Sequence, residues 1–217
     1  MTARPTLFDP ERARRDAARL ARRDPLCRRL ADLYGPARLR PRRPGGAFAY
    51  LVRVVLYQQL ALPAAAAIHE RLAARLGGRP PDAASLLRLG ESGLRECGVS
   101  RPKARALLAL AEAVASGELR PRGLARLSDE EIERRLVAIP GIGPWSAAIF
   151  MLFHLGRRDV FPATDLGLRA AAAMLAGEKE PWSPARLASR AEAWRPCRST
   201  AAWWLWRHRS GTIPGLR

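Results

Sequence analysis

The sequence predicts an all-α protein of about ten helices, arranged as two helical lobes with a central cleft. Three observations carry the helical part. Glycines at 77–78, 90, 117 and 156 close successive apolar segments of helical length. Capping residues stand ahead of several of these segments: Asp9-Pro10, Asp82, Ser128 and Ser183-Pro184. No stretch sustains the period-two alternation of a half-buried strand.

Residues 1–45 are strongly basic, with Arg12, Arg14, Arg15, Arg22 and Arg23, and Pro41, Pro44, Gly45 and Gly46 close the segment. Asp9-Pro10 starts a helix over 10–22, a short one follows over 25–33, and the arginines read as a solvated face. Phe48–Leu60 is an apolar helix ending in Gln58-Gln59-Leu60. Pro63–Leu76 follows, then a helix from Asp82 to Leu89, then Lys103–Ala115. Ser128 and Glu131 form the pattern of a capping box that opens the next helix. Pro144–Leu155 comes after it, with Gly156 just past its end. Thr164 caps a helix from Asp165 to Leu175. Ser183-Pro184 opens one to Ala193, and the last runs over 199–209.

The 217 residues are 48% hydrophobic, enough for one compact domain or two small lobes. Thirty-eight basic residues against 20 acidic give a net charge of +18 and a pI of about 11.5, which favours a polyanionic partner. All but two of the bases, Lys103 and Lys179, are arginine, which fits high-GC coding. Such bias explains arginine over lysine but not the excess of bases over acids. No run of 18 apolar residues reads as a membrane span, and the first residues lack the apolar core of a secretory signal, so the expected location is the bacterial cytosol. Cys27, Cys97 and Cys197 fit neither zinc spacing nor a four-cysteine cluster and read as free thiols. His69, His154 and His208 have no metal-ligand spacing.

The stretch most suggestive of function runs from Leu136 to Ala148. It reads Leu-Val-Ala-Ile-Pro-Gly-Ile-Gly-Pro-Trp-Ser-Ala-Ala, and Phe161-Pro-Ala-Thr-Asp-Leu-Gly-Leu lies downstream. A helix stops at Pro140, Gly141 and Gly143 make a tight apolar hairpin, and Pro144 starts a second helix. Glycines let the backbone approach another surface closely, and a helix N-terminus offers N–H groups to an anion. On so basic a chain the natural anion is a DNA phosphate. The carboxylate of Asp165 is the candidate for chemistry.

The hairpin, the Pro162-x-x-Asp165-Leu166-Gly167 context, Gln58-Gln59-Leu60 and the tryptophan-rich 194–206 segment together resemble the helix-hairpin-helix (HhH-GPD) DNA glycosylases. The branch most similar is that of the alkylpurine, or 3-methyladenine type II, enzymes. The likeness spans residues 46–210. It implies a central lobe over 46–158, with the hairpin motif at 136–155, and a second lobe made of 1–45 and 159–217.

The resemblance implies a catalytic role for Asp165, which would stabilise positive charge developing on the sugar. Bifunctional relatives carry a Schiff-base lysine where this chain has Trp145, so a monofunctional enzyme is implied, with water as nucleophile. Trp145, Trp206, Ile149 and Gln58 match positions lining the pocket for a flipped-out base. Aromatic faces suit cationic alkylpurines. Ile149 replaces a tyrosine found in some relatives and implies a broader lesion range. Gln59 or Leu60 matches the wedge that enters the duplex. Gly141, Gly143, Ser146 and Ala147 would grip a phosphate through backbone N–H groups, and Lys103 would contact another. Carbonyls of Val137, Ile139 and Ile142 match a monovalent-cation site. The implied enzyme uses no organic cofactor and no iron–sulfur cluster, binds damaged duplex DNA and acts as a monomer. Two other readings stand beside it: a glycosylase for oxidised or deaminated bases, and a non-catalytic DNA-binding module that uses the hairpin alone.

Overall fold

The computed structural model describes residues 6–39 and 45–210. Among these, eleven α-helices and one 3-10 turn are joined by loops, and no strand is present. The chain divides into two compact units, one within 1–41 and 151–217, the other within 42–150.

The first unit holds α1 (Pro10–Arg23), α2 (Pro25–Tyr34), α9 (Leu166–Leu175), α10 (Pro184–Glu192) and α11 (Arg198–Ser210). Helix α11 packs against α9, α2 and α1, and α10 packs on α9. Side-chain caps fix the helix starts. Asp9 accepts the N–H groups of Glu11 and Arg12, and Ser183 accepts that of Arg186. Asp24 caps α2 and is itself buried, taking the indole N–H of Trp194 at 2.8 Å and Arg190 at 2.7 Å. A buried carboxylate is tolerable only with such partners. Asp16 is buried as well. It pairs with Arg158 through one guanidinium edge, Nε and Nη2 each donating to a carboxylate oxygen, the Nε bond being 2.8 Å.

The second unit centres on α3 (Gly46–Tyr57), whose residues Phe48 to Leu56 are all buried. Helices α4 (Leu62–Arg75) and α6 (Arg101–Ala115) and the 3-10 turn Pro121–Arg126 pack on α3, and α5 (Ala83–Glu96) pairs with α6. Helix α7 (Asp129–Val137) and the first seven residues of α8 (Pro144–Phe153) complete the unit.

Several boundaries differ from the sequence expectations. Helix α3 ends at Tyr57, not Leu60, because Gln58 turns extended with ψ 131°. Gly90 kinks α5 with φ 65° rather than ending it. Ser128 caps α7 through the Glu131 N–H, but Glu131 directs its carboxylate to Arg134 and Arg135 and so does not close the capping box. The two units divide at 150/151, inside α8, rather than after 158. Residues past the division bond to the N-terminal segment: Leu7 N–H donates to the Gly156 carbonyl at 2.9 Å, and Arg158 reaches Asp16.

Removing Arg158 strands a buried carboxylate. Arg158→Leu is expected to cost about 3 kcal/mol and to lower the melting temperature by roughly 10 °C, read by thermal denaturation at neutral pH. A melting point within about 2 °C of wild type would show that Asp16 is solvated instead.

Candidate functional site

The expected site residues fall into two groups, each inside one unit. In the first unit, Asp165 is the N-cap of α9, so the helix starts one residue later than expected. Its own carboxylate, not the Thr164 hydroxyl, caps the helix. Oδ1 accepts the Leu168 N–H at 2.9 Å and the indole N–H of Trp206, from α11, at 3.1 Å. Trp206 is buried and its ring packs on Phe153, centroids 5.5 Å apart at 38°. An indole held in this way fixes the carboxylate's rotamer.

Sequence reasoning missed Gly167. A Cβ there would lie 3.0 Å from Asp165 Oδ1 and 3.5 Å from Trp206 Cδ1. A glycine in the first turn of a helix is unfavourable by propensity, and that was the available signal.

In the second unit, the hairpin between α7 and α8 is closed by Ile142 N–H donating to the Ile139 carbonyl at 3.0 Å. Gly141 sits at φ 85°, and a Cβ there would run into the Cβ of Ala106 on α6. Gly143 has open space around it. Ala147 does not match the phosphate-gripping role expected of it, since its N–H closes the first turn of α8 on the Gly143 carbonyl at 3.1 Å. Ser146 is buried, and its hydroxyl accepts from Gln58 Nε2 at 2.8 Å.

Gln58 also donates to the Gly141 carbonyl at 3.1 Å, tying the end of α3 to the hairpin. Lys103 departs from the expected phosphate contact. Its ammonium donates to the carbonyls of Leu56 at 2.7 Å and Gln58 at 2.6 Å, and burial lowers its pKa. It neutralises the negative end of α3. The next two residues are displayed outward. Gln59 is exposed and adopts φ 51°, the one positive-φ non-glycine among the described residues, and Leu60 is exposed beside it.

Trp145 is half-buried, whereas the other five tryptophans are buried. Ile149 is buried in the core. Val137, Ile139 and Ile142 stand at the C-terminal end of α7 and in the hairpin, with Val137 partly exposed. Their neutral carbonyls, with no carboxylate in the set, fit a monovalent cation better than a divalent one. Among the described residues no helix is long and apolar enough to cross a membrane.

Residues 52–198 match the family described as HhH-GPD superfamily base excision DNA repair protein. The chain belongs to that superfamily. It is similar to DNA-3-methyladenine glycosylase 1 of Schizosaccharomyces pombe, 34% identical over 161 residues, which cover 72% of this chain and 70% of that one. The solved structure of the S. pombe 3-methyladenine DNA glycosylase in complex with abasic DNA matches with a TM-score of 0.84 at 30% identity, over 94% of this chain and 99% of that one. A DNA-3-methyladenine glycosidase from Bacillus halodurans matches with a TM-score of 0.77 at 32% identity, over 95% and 92%. The all-α fold expected from the sequence is thus that of the HhH-GPD proteins.

The two hairpin glycines differ in what they tolerate. Gly141→Ala is expected to destabilise by about 2 kcal/mol, from strain at positive φ and the clash with Ala106. Gly143→Ala should stay within about 0.5 kcal/mol. Adding Ala106→Gly to Gly141→Ala should recover the steric part alone. Chemical denaturation of the four proteins reads this, and equal losses at 141 and 143 would refute it.

Proposed function

We propose that this chain is a monofunctional DNA glycosylase that releases alkylated purines, of the 3-methyladenine and 7-methylguanine type, from duplex DNA and leaves an abasic site. The observation that carries the proposal is the Asp165 carboxylate, held by the Leu168 amide and the Trp206 indole in a chain of the HhH-GPD superfamily. The names of the two relatives above, both 3-methyladenine enzymes, support the substrate class. The net charge of +18 supports a DNA partner.

The nucleotide leaves the stack, because its glycosidic bond is out of reach inside the duplex. The exposed Gln59-Leu60 turn supplies the wedge. As the C1′–N bond breaks, the electron pair goes to the base. An alkylpurine that begins as a cation therefore leaves neutral and needs little acid assistance. Asp165 stabilises the oxocarbenium that develops, and water adds at C1′ and gives up a proton. Trp145, in place of a lysine, offers no amine for a Schiff base, and its indole suits a cationic ring. The hairpin amides ahead of Ala147 hold a backbone phosphate. Carbonyls of Val137, Ile139 and Ile142 would hold a monovalent cation, which would add positive charge beside that phosphate. No organic cofactor enters the scheme. The enzyme acts as a monomer in the bacterial cytosol.

Release of free base from methylated duplex DNA tests the proposal. Asp165→Asn keeps an oxygen acceptor for both N–H donors and should lower release by roughly 10³-fold with DNA affinity retained. Wild-type strands should break only after added alkali. Trp206→Phe keeps a ring against Phe153 but loses the N–H. It should lower kcat about tenfold with little change in KM. Release by Asp165→Asn at the wild-type rate would overturn the catalytic assignment. Wild-type release of oxidised or deaminated bases alone would move the substrate class, and DNA binding without any base release would leave a binding module.

Lys103 gives a separate test. Lys103→Met should cost about 2 kcal/mol of stability while leaving the salt dependence of DNA binding unchanged. A slope of log Kd on log salt reduced by about 0.9 would return this lysine to a phosphate contact.

A further inference from the structure

The central unit holds a second feature that base excision does not use. A cavity of about 280 Å³ opens between α3, α4 and the segment that follows α4. Arg53 of α3 lines it and is only 8% exposed. Its guanidinium lies 4.1 Å over the Tyr57 ring, and Nη1 donates to the Tyr57 hydroxyl at 3.0 Å. Its Nε is buried and has no hydrogen-bond partner. None of the ion pairs among the described residues includes Arg53. A buried guanidinium with a phenol for company and no counter-ion is an electrostatic deficit. An oxyanion corrects it, because the planar fork of arginine matches two oxygens at once.

The rest of the wall defines the ligand. His69 and Arg79 also line the cavity, and among the described residues no acidic side chain does. Leu72, Ala73 and Pro80 supply apolar wall. The volume lies at the low end for ligand pockets. Together these features call for one anionic group on a compact apolar body. A DNA backbone phosphate, carried on a bulky strand, suits neither the burial of Arg53 nor the apolar wall.

We propose that this cavity binds a small organic oxyanion, a carboxylate or phosphate on a compact apolar body, anchored by Arg53.

Thermal unfolding of the full chain with benzoate or phenyl phosphate, against sodium chloride at equal ionic strength, tests this. The wild type should show a saturable rise in melting temperature of about 3 °C at ten times Kd. Arg53→Met removes the guanidinium at similar volume, and Ala73→Leu fills the cavity with Arg53 intact. Both should abolish the rise. If Arg53→Met fails to fold, Ala73→Leu decides. An equal rise in all three proteins, or no saturable rise in the wild type, would overturn the proposal. Displacement of bound benzoate by undamaged duplex in simple competition would also overturn it and reassign the cavity to a backbone phosphate.

Discussion

One face of α6 sets the geometry of the central unit. Lys103 and Ala106 are three residues apart and therefore point the same way. Lys103 captures the last carbonyls of α3, and Ala106 provides the flat seat against which Gly141 turns. Gln58 closes the third side by bonding the end of α3 to the hairpin. The turn after α3 and the hairpin between α7 and α8 are thus held against a common support. Movement of α6 would shift both together. The two segments the family resemblance assigns to DNA are in this way one mechanical piece.

In the other unit a single carboxylate carries a structural duty and, in the proposed reaction, a chemical one. Asp165 ends the loop and begins α9, and the bonds that make it a cap also fix its direction. A capping carboxylate is well oriented because the helix start demands it. The price is coupling, since any replacement alters helix stability together with chemistry unless it keeps an oxygen in place. Gly167 and Trp206 protect the arrangement from two sides, one by having no side chain and one by donating an N–H.

Much of the helical fold was legible in the sequence because caps and stops are local. Asp9, Asp82, Ser128 and Ser183 each cap the helix they were expected to open. The errors came where long-range contacts decide. Thr164 and Asp165 are both good caps, and the role falls to Asp165, whose Oδ1 takes the Leu168 N–H and also the indole N–H of Trp206 from α11. Helix α3 stops at Tyr57, where Gln58 turns extended and its carbonyl goes to Lys103, 45 residues later. Lys103 itself sits at a helix start on a basic chain, where a solvent-facing cation is the default reading. Nothing in the sequence marks Ala106, since a small residue becomes a seat only when something is placed upon it. The uncompensated Arg53 was equally silent, because an arginine in an apolar helix does not announce its neighbours.

The backbone at Gln59 has a consequence for how this protein could be improved by design. A left-handed conformation costs a residue with a side chain about 1 kcal/mol, and glycine or asparagine relieves it. A procedure that ranks substitutions by folding stability would therefore choose glycine at 59. It would gain a more robust molecule and erase the side chain that the strained turn holds out to solvent. Stability and reach are opposed at that one residue, and the sequence has settled in favour of reach.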